Sequence, residues 1–147
     1  MFWKEFVRGI GILLAYFAIA ASCALLLRHL LNPPRELTRK FLHIIVMLSV
    51  FVYYYGFEHW YVAMAAALVF AVVVFPIVHL AERFPKIMAE INQWRAGGVK
   101  ASLMIVHLMF AILIAVFWGL LGEAWKFIIL VAVLAWGFGS SSAALAG

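Results

Sequence analysis

Apolar residues run along this chain in five long blocks separated by short polar segments, and the blocks set the expected elements. The first, Ile10 to Leu27, carries no charge. As a helix rising ~1.5 Å per residue it covers roughly 27 Å, close to the hydrocarbon core of a bilayer. The run continues past the small residues Ala20 to Ser22 and past Cys23, which argues against a cleaved signal peptide and against a lipoprotein. Asn32-Pro33-Pro34 reads as a helix start: Asn32 caps, Pro33 gives up no hydrogen bond at the first position, and Glu36 suits the positive first turn. Helix two is therefore expected from Pro33 to about Tyr55, ending in the interface-type residues Tyr53 to Tyr55 and Gly56.

Helix three is expected from Trp60 to about Leu80, kinked at Pro76, and the one long polar loop from Glu82 to Lys100. Helix four then covers Ser102 to Leu121, a tight turn covers Gly122 to Ala124, and helix five covers Trp125 to about Phe138. The pattern predicts an all-α fold: a polytopic membrane helical bundle of about five transmembrane helices, forming a single domain over 1–147. No internal repeat stands out.

Composition removes the soluble alternative. Of 147 residues, 69% are hydrophobic and 12% charged, whereas soluble domains run near ~25% charged. Mean hydropathy is +1.13. Cys23 is the single cysteine, so no disulfide forms within the chain. The net charge of +5 does not point to nucleic acid, because the basic residues occupy the short segments between apolar blocks. Arg28, Arg35, Arg39, Lys40, Arg83, Lys86, Arg95 and Lys100 fall on one face, and only Lys4, Arg8 and Lys126 on the other. That bias orients the N-terminus outside and the loops after helices one and three toward the cytoplasm, with a bacterial inner membrane as the expected location.

Candidate chemistry lies in three segments. Glu36, Arg39, Lys40 and His43 are spaced to line one helical stripe at the cytoplasmic mouth, where a phosphate-rich ligand would meet two cations and an imidazole. Snorkelling anchors and a Glu36–Lys40 pair explain the same pattern. A polar His43 ring one turn inside the membrane nevertheless needs a partner. Gly97-Gly98-Val99-Lys100-Ala101-Ser102 offers backbone N–H groups at a helix start, with Lys100 beside them, or simply a flexible loop. Gly137-Phe138-Gly139-Ser140-Ser141-Ser142 interrupts an apolar helix, which suits irregular backbone lining a polar cavity. It equally suits a small-residue packing face through Gly139, Ala143 and Gly147. His79 and His107 are expected to be interior or interfacial rather than ligands.

Glu36-Leu37-Thr38-Arg39-Lys40-Phe41-Leu42-His43 resembles the E-L-x-R-K-x-x-H signature of the dolichol kinase and phytol kinase family. Gly97 to Ser102 is similar to that family's G-E-V-K-x-S loop, and Trp136-Gly137-Phe138-Gly139 through Ala143-Ala144-Leu145-Ala146-Gly147 resembles its W-G-x-G-D-x-x-A-A-L-x-G segment. The resemblance covers Glu36 to Gly147 and implies a membrane enzyme that passes a phosphoryl group from CTP to a polyprenol, phytol, dolichol or similar lipid alcohol, with Mg as divalent cation. Bacterial relatives are often labelled phosphatidate cytidylyltransferases. By this analogy Arg39, Lys40 and His43 are the catalytic candidates. Arg39, Lys40, Lys100, Ser102, Gly137, Gly139, Ser140 and Ser141 become the nucleotide and phosphate candidates, and Glu36 the candidate metal ligand.

Two positions depart from the family pattern: Gly98 stands where it has Glu, and Ser140 where it has Asp. All six acidic residues are Glu, so the chain contains no Asp. Divalent cations at nucleotide sites are usually held by one or two carboxylates, and these departures predict impaired catalysis. The family also continues past the alanine-rich segment, so the chain reads as an N-terminal portion. The competing expectation is a non-catalytic membrane assembly protein or homo-oligomer; a small transporter would place more ionisable residues near the midplane.

Overall fold

The computed structural model describes residues 1–32, 34–81, 83–84 and 98–146. Among them the chain is all-α, without strands: α1 (Phe2–Leu31), α2 (Arg35–Leu48), α3 (Val50–Gly56), α4 (Trp60–Ala81), α5 (Gly98–Leu113) and α6 (Lys126–Ala146). α5 continues into a π-helical segment, Ile114–Leu120, and a single 3-10 turn, Glu123–Trp125, leads into α6. Among the described residues four helices are long and apolar enough to cross a membrane: α1, α4, α5 with its π segment, and α6. The apolar helical stretch Lys40–Gly56 is shorter than these, so four and not five reach spanning length. Helices dominate because a chain in hydrocarbon must pair every backbone N–H and C=O within itself.

Several boundaries differ from the sequence expectation, each for a local reason. Asn32 does not cap helix two. It ends α1 in the left-handed conformation, φ 44°, with its N–H donated to the Arg28 carbonyl, a conformation asparagine tolerates better than most residues. Helix two starts instead at Arg35, after Pro34. It is broken once, at Ser49, whose Oγ donates to the Val46 carbonyl at 2.6 Å. This local hydroxyl bond accompanies the step from α2 to α3. α4, Trp60–Ala81, contains Pro76 and keeps the expected span to within a residue. α6 continues eight residues beyond the expected end at Phe138, so the Gly137–Ser142 segment is helical and not irregular. The expected loop from Glu82 to Lys100 lies largely outside the described residues, although Gly98 to Lys100 already belong to α5.

The core is centred on α4. Its buried face carries Ala63, Ala67 and Ala71 at every fourth position, and these small side chains let α5 approach closely. Val106 and Phe110 of α5, Ile114 at the start of the π segment and Val133 of α6 fill the space around them. Close approach recurs where α1 meets the end of α3: a Cβ on Gly9 would overlap the buried Phe57 ring at 2.2 Å.

The His107 ring and the Tyr53 hydroxyl are polar groups inside this core. His107 is fully buried, donates Nδ1–H to the Leu103 carbonyl at 2.8 Å, and rests against Phe70, Phe110, Phe17 and Tyr53. Among the described residues its Nε2 and the Tyr53 hydroxyl have no hydrogen-bond partner. An unsatisfied buried hydroxyl costs ~1–3 kcal/mol, so Tyr53→Phe is expected to leave stability unchanged or raise it by up to about 1 kcal/mol. Thermal unfolding in detergent checks this; a clear loss of stability would show that the hydroxyl is bonded.

Candidate functional site

The helices bring polar side chains together at both ends of the bundle. At the end that holds the N-terminus, the start of α1 meets the α3–α4 connection. Glu5, only 8% exposed, accepts the backbone N–H groups of Glu58 and His59 through Oε1 at 2.7 and 2.9 Å. Its Oε2 lies 2.7 Å from His59 Nδ1. Since a carboxylate only accepts, Nδ1 carries the proton in this contact. The carboxylate thus sits at the amino end of α4, where the helix dipole favours negative charge. Arg8 bonds Glu58 at 3.1 Å on the exposed side.

Lys126 is held at the same end. It donates to the Phe57 carbonyl at 3.3 Å, and its ammonium stands 3.8 Å from the Trp118 ring centroid and 4.9 Å from that of Tyr54. The wide π-helical turn carries Trp118, which is buried, to this position. None of Glu5, His59 and Trp118 stood out in the sequence. A lone carboxylate at the margin of an apolar run was the available signal for Glu5, but its partners lie more than fifty residues away.

At the opposite end α2 and α6 pack side by side. The notch at Gly137 makes this possible: a Cβ there would stand 1.6 Å from Met47 Sδ and 2.6 Å from its Cγ. Beside it His43 Nε2 lies 3.3 Å from Ser140 Oγ, and the His43 ring sits 5.1 Å from the Trp136 ring at 57°. Ser140 Oγ also donates to the Gly137 carbonyl at 3.1 Å. That back-bond is how a serine stays within a helix in apolar surroundings. The partner that His43 needs is therefore Ser140.

Of the residues singled out in the sequence, His43, Gly137 and Ser140 meet in one cluster. Lys40 is half-buried on α2, one turn before His43, and among the described residues nothing lies within 4 Å of a Cβ position at Gly139. Lys100 and Ser102 belong to the first turns of α5, and Ser141 to α6. The side chains of Glu36, Arg39, Lys100, Ser102 and Ser141 lie outside the described residues.

The resemblance implies a divalent cation, and the described donors do not fit one. Ser140 stands at the carboxylate position with its oxygen engaged by Gly137 and His43. Among the described residues no group of three or more His, Cys, Asp or Glu side chains could hold a metal. Chemically, the cluster offers an imidazole beside a hydroxyl and an indole, with Lys40 one helical turn earlier on α2. It suits proton transfer and anion binding. The chain matches no family model, no curated protein and no solved structure.

Proposed function

We propose that this protein is a membrane lipid-alcohol kinase-like protein, with CTP as donor and a polyprenol, phytol or dolichol type of alcohol as acceptor. The observation that carries the reading is the contact between His43 and Ser140, which joins the first and third motifs of the resemblance across 97 positions of sequence.

In this reading the site faces the cytoplasm of a bacterial inner membrane. Arg39, Lys40 and Lys100 hold the phosphates, with Ser102, Gly139 and Ser141 at the two helix segments beside them. The alcohol oxygen attacks the γ-phosphorus of CTP as its proton passes to His43. The bond from that phosphorus to the β,γ-bridging oxygen breaks, and CDP leaves. Positioning and charge stabilisation carry most of such a reaction. With serine at position 140 and glycine at 98, binding is expected to outlast turnover.

The test uses the chain in lipid vesicles containing a polyprenol. Binding of CTP is measured for the unaltered chain and for Ser140→Asp, and transfer is followed from labelled CTP. Binding by both, with transfer at least tenfold higher in Ser140→Asp, is the expected result. If neither form binds CTP the reading fails. A non-catalytic assembly role is then left, for which the open face at Gly139 is the supporting observation.

A further inference from the structure

The hydroxyl of Ser140 has one proton, and its geometry spends that proton on the Gly137 carbonyl at 3.1 Å. A carbonyl only accepts, so in that contact the hydroxyl is the donor. What remains on Ser140 Oγ for His43 is a lone pair, and the contact at 3.3 Å therefore requires His43 Nε2 to carry a hydrogen. In a neutral imidazole one nitrogen is protonated and the other is not, so the bare nitrogen is Nδ1, which has no hydrogen-bond partner among the described residues. The Trp136 ring lies 5.1 Å away on the same side of α6, tilted 57° to the imidazole.

We infer that Ser140 is a positioning residue: it holds His43 as the Nε2–H tautomer and presents Nδ1 as the nitrogen that accepts a proton. The inference deepens the kinase-like reading by naming which nitrogen would take the proton of the acceptor alcohol, and it rests on that reading only for the identity of the alcohol. The contrast with His107 sharpens it. There Nδ1–H donates to the carbonyl of the residue four before it, and the bare nitrogen is Nε2. The two buried or half-buried imidazoles of the bundle are thus set to opposite tautomers by their neighbours, one by a side chain of another helix and one by its own helix.

Nitrogen-15 NMR of histidine-labelled protein in micelles tests the assignment, with the His43 signals identified by their loss in His43→Gln. At a pH where His43 is neutral, the expected spectrum has a protonated Nε2 and a bare Nδ1. Ser140→Ala should lose this preference and give averaged signals for the two nitrogens, while Ser140→Thr, which keeps the hydroxyl, should retain it. A protonated Nδ1 in the unaltered chain, or an unchanged tautomer in Ser140→Ala, would overturn the inference. A chain that shows the expected tautomer and binds no CTP would establish the positioning role and sink the kinase-like reading, so the two failures are separable.

Discussion

Replacing Glu5 with alanine is expected to cause one of the two largest losses of stability in this protein, about 3 kcal/mol. Hydrogen bonds to a charged group contribute roughly 1.5–3 kcal/mol each, and Glu5 makes three, to two backbone N–H groups and to His59. Water recovers part of that, because Glu58 and His59 are exposed. The helix dipole adds to the loss, since the carboxylate stands at the amino end of α4. Glu5→Gln should lose less, because its amide oxygen still accepts from both backbone groups. The measurement is thermal unfolding in detergent for the three forms. An alanine variant as stable as the unaltered chain would mean that water replaces the carboxylate in full, and that α1 is held to α4 by apolar contacts alone.

The second large effect is expected at Gly137. Met47 is 1% exposed and occupies the space where a side chain at 137 would go. Extra atoms forced into a filled interior cost typically ~1–3 kcal/mol, and Gly137→Leu, with four carbons added, belongs at the top of that range or beyond. The overlap reaches Met47 Cγ as well as its sulfur, so turning the end of the side chain does not relieve it. α6 must move off α2, and the His43–Ser140 contact at 3.3 Å goes with it. Gly137→Ala combined with Met47→Ala should cost clearly less than the sum of the two single losses, because the pair shares one volume. Unfolding measurements on the two single variants and the double variant form the cycle. Simple additivity would show that the helices do not meet at this notch.

Much of the fold was readable before any coordinates, and the reason is the solvent. A bilayer demands about twenty apolar residues per crossing and punishes unpaired backbone, so runs such as Ile10 to Leu27 announce both their conformation and their environment. The same rule overturned one expectation. Gly137 to Ser142 has a composition that would break a helix in water, where backbone groups have another partner. In apolar surroundings the helix is the cheapest way to pair them, and α6 runs through. Asn32 went the other way, because a residue that caps a helix start also tolerates the left-handed turn that ends one.

The candidate site was half legible. His43 was visible as a polar ring inside an apolar helix, and Ser140 as a hydroxyl in a small-residue run, but nothing in either segment says that they touch. The Glu5–His59 tie was not visible at all. By itself the sequence determined what is local or averaged along the chain: helical conformation, the number and length of apolar stretches, and which residues are unusual for their surroundings. Tertiary structure alone decided the pairings of Glu5 with the start of α4, Lys126 with Trp118, Met47 with Gly137 and His43 with Ser140. Each depends on the rotation and depth of one helix against another, which small residues and notches set through close contact, and to which hydrophobic periodicity is blind.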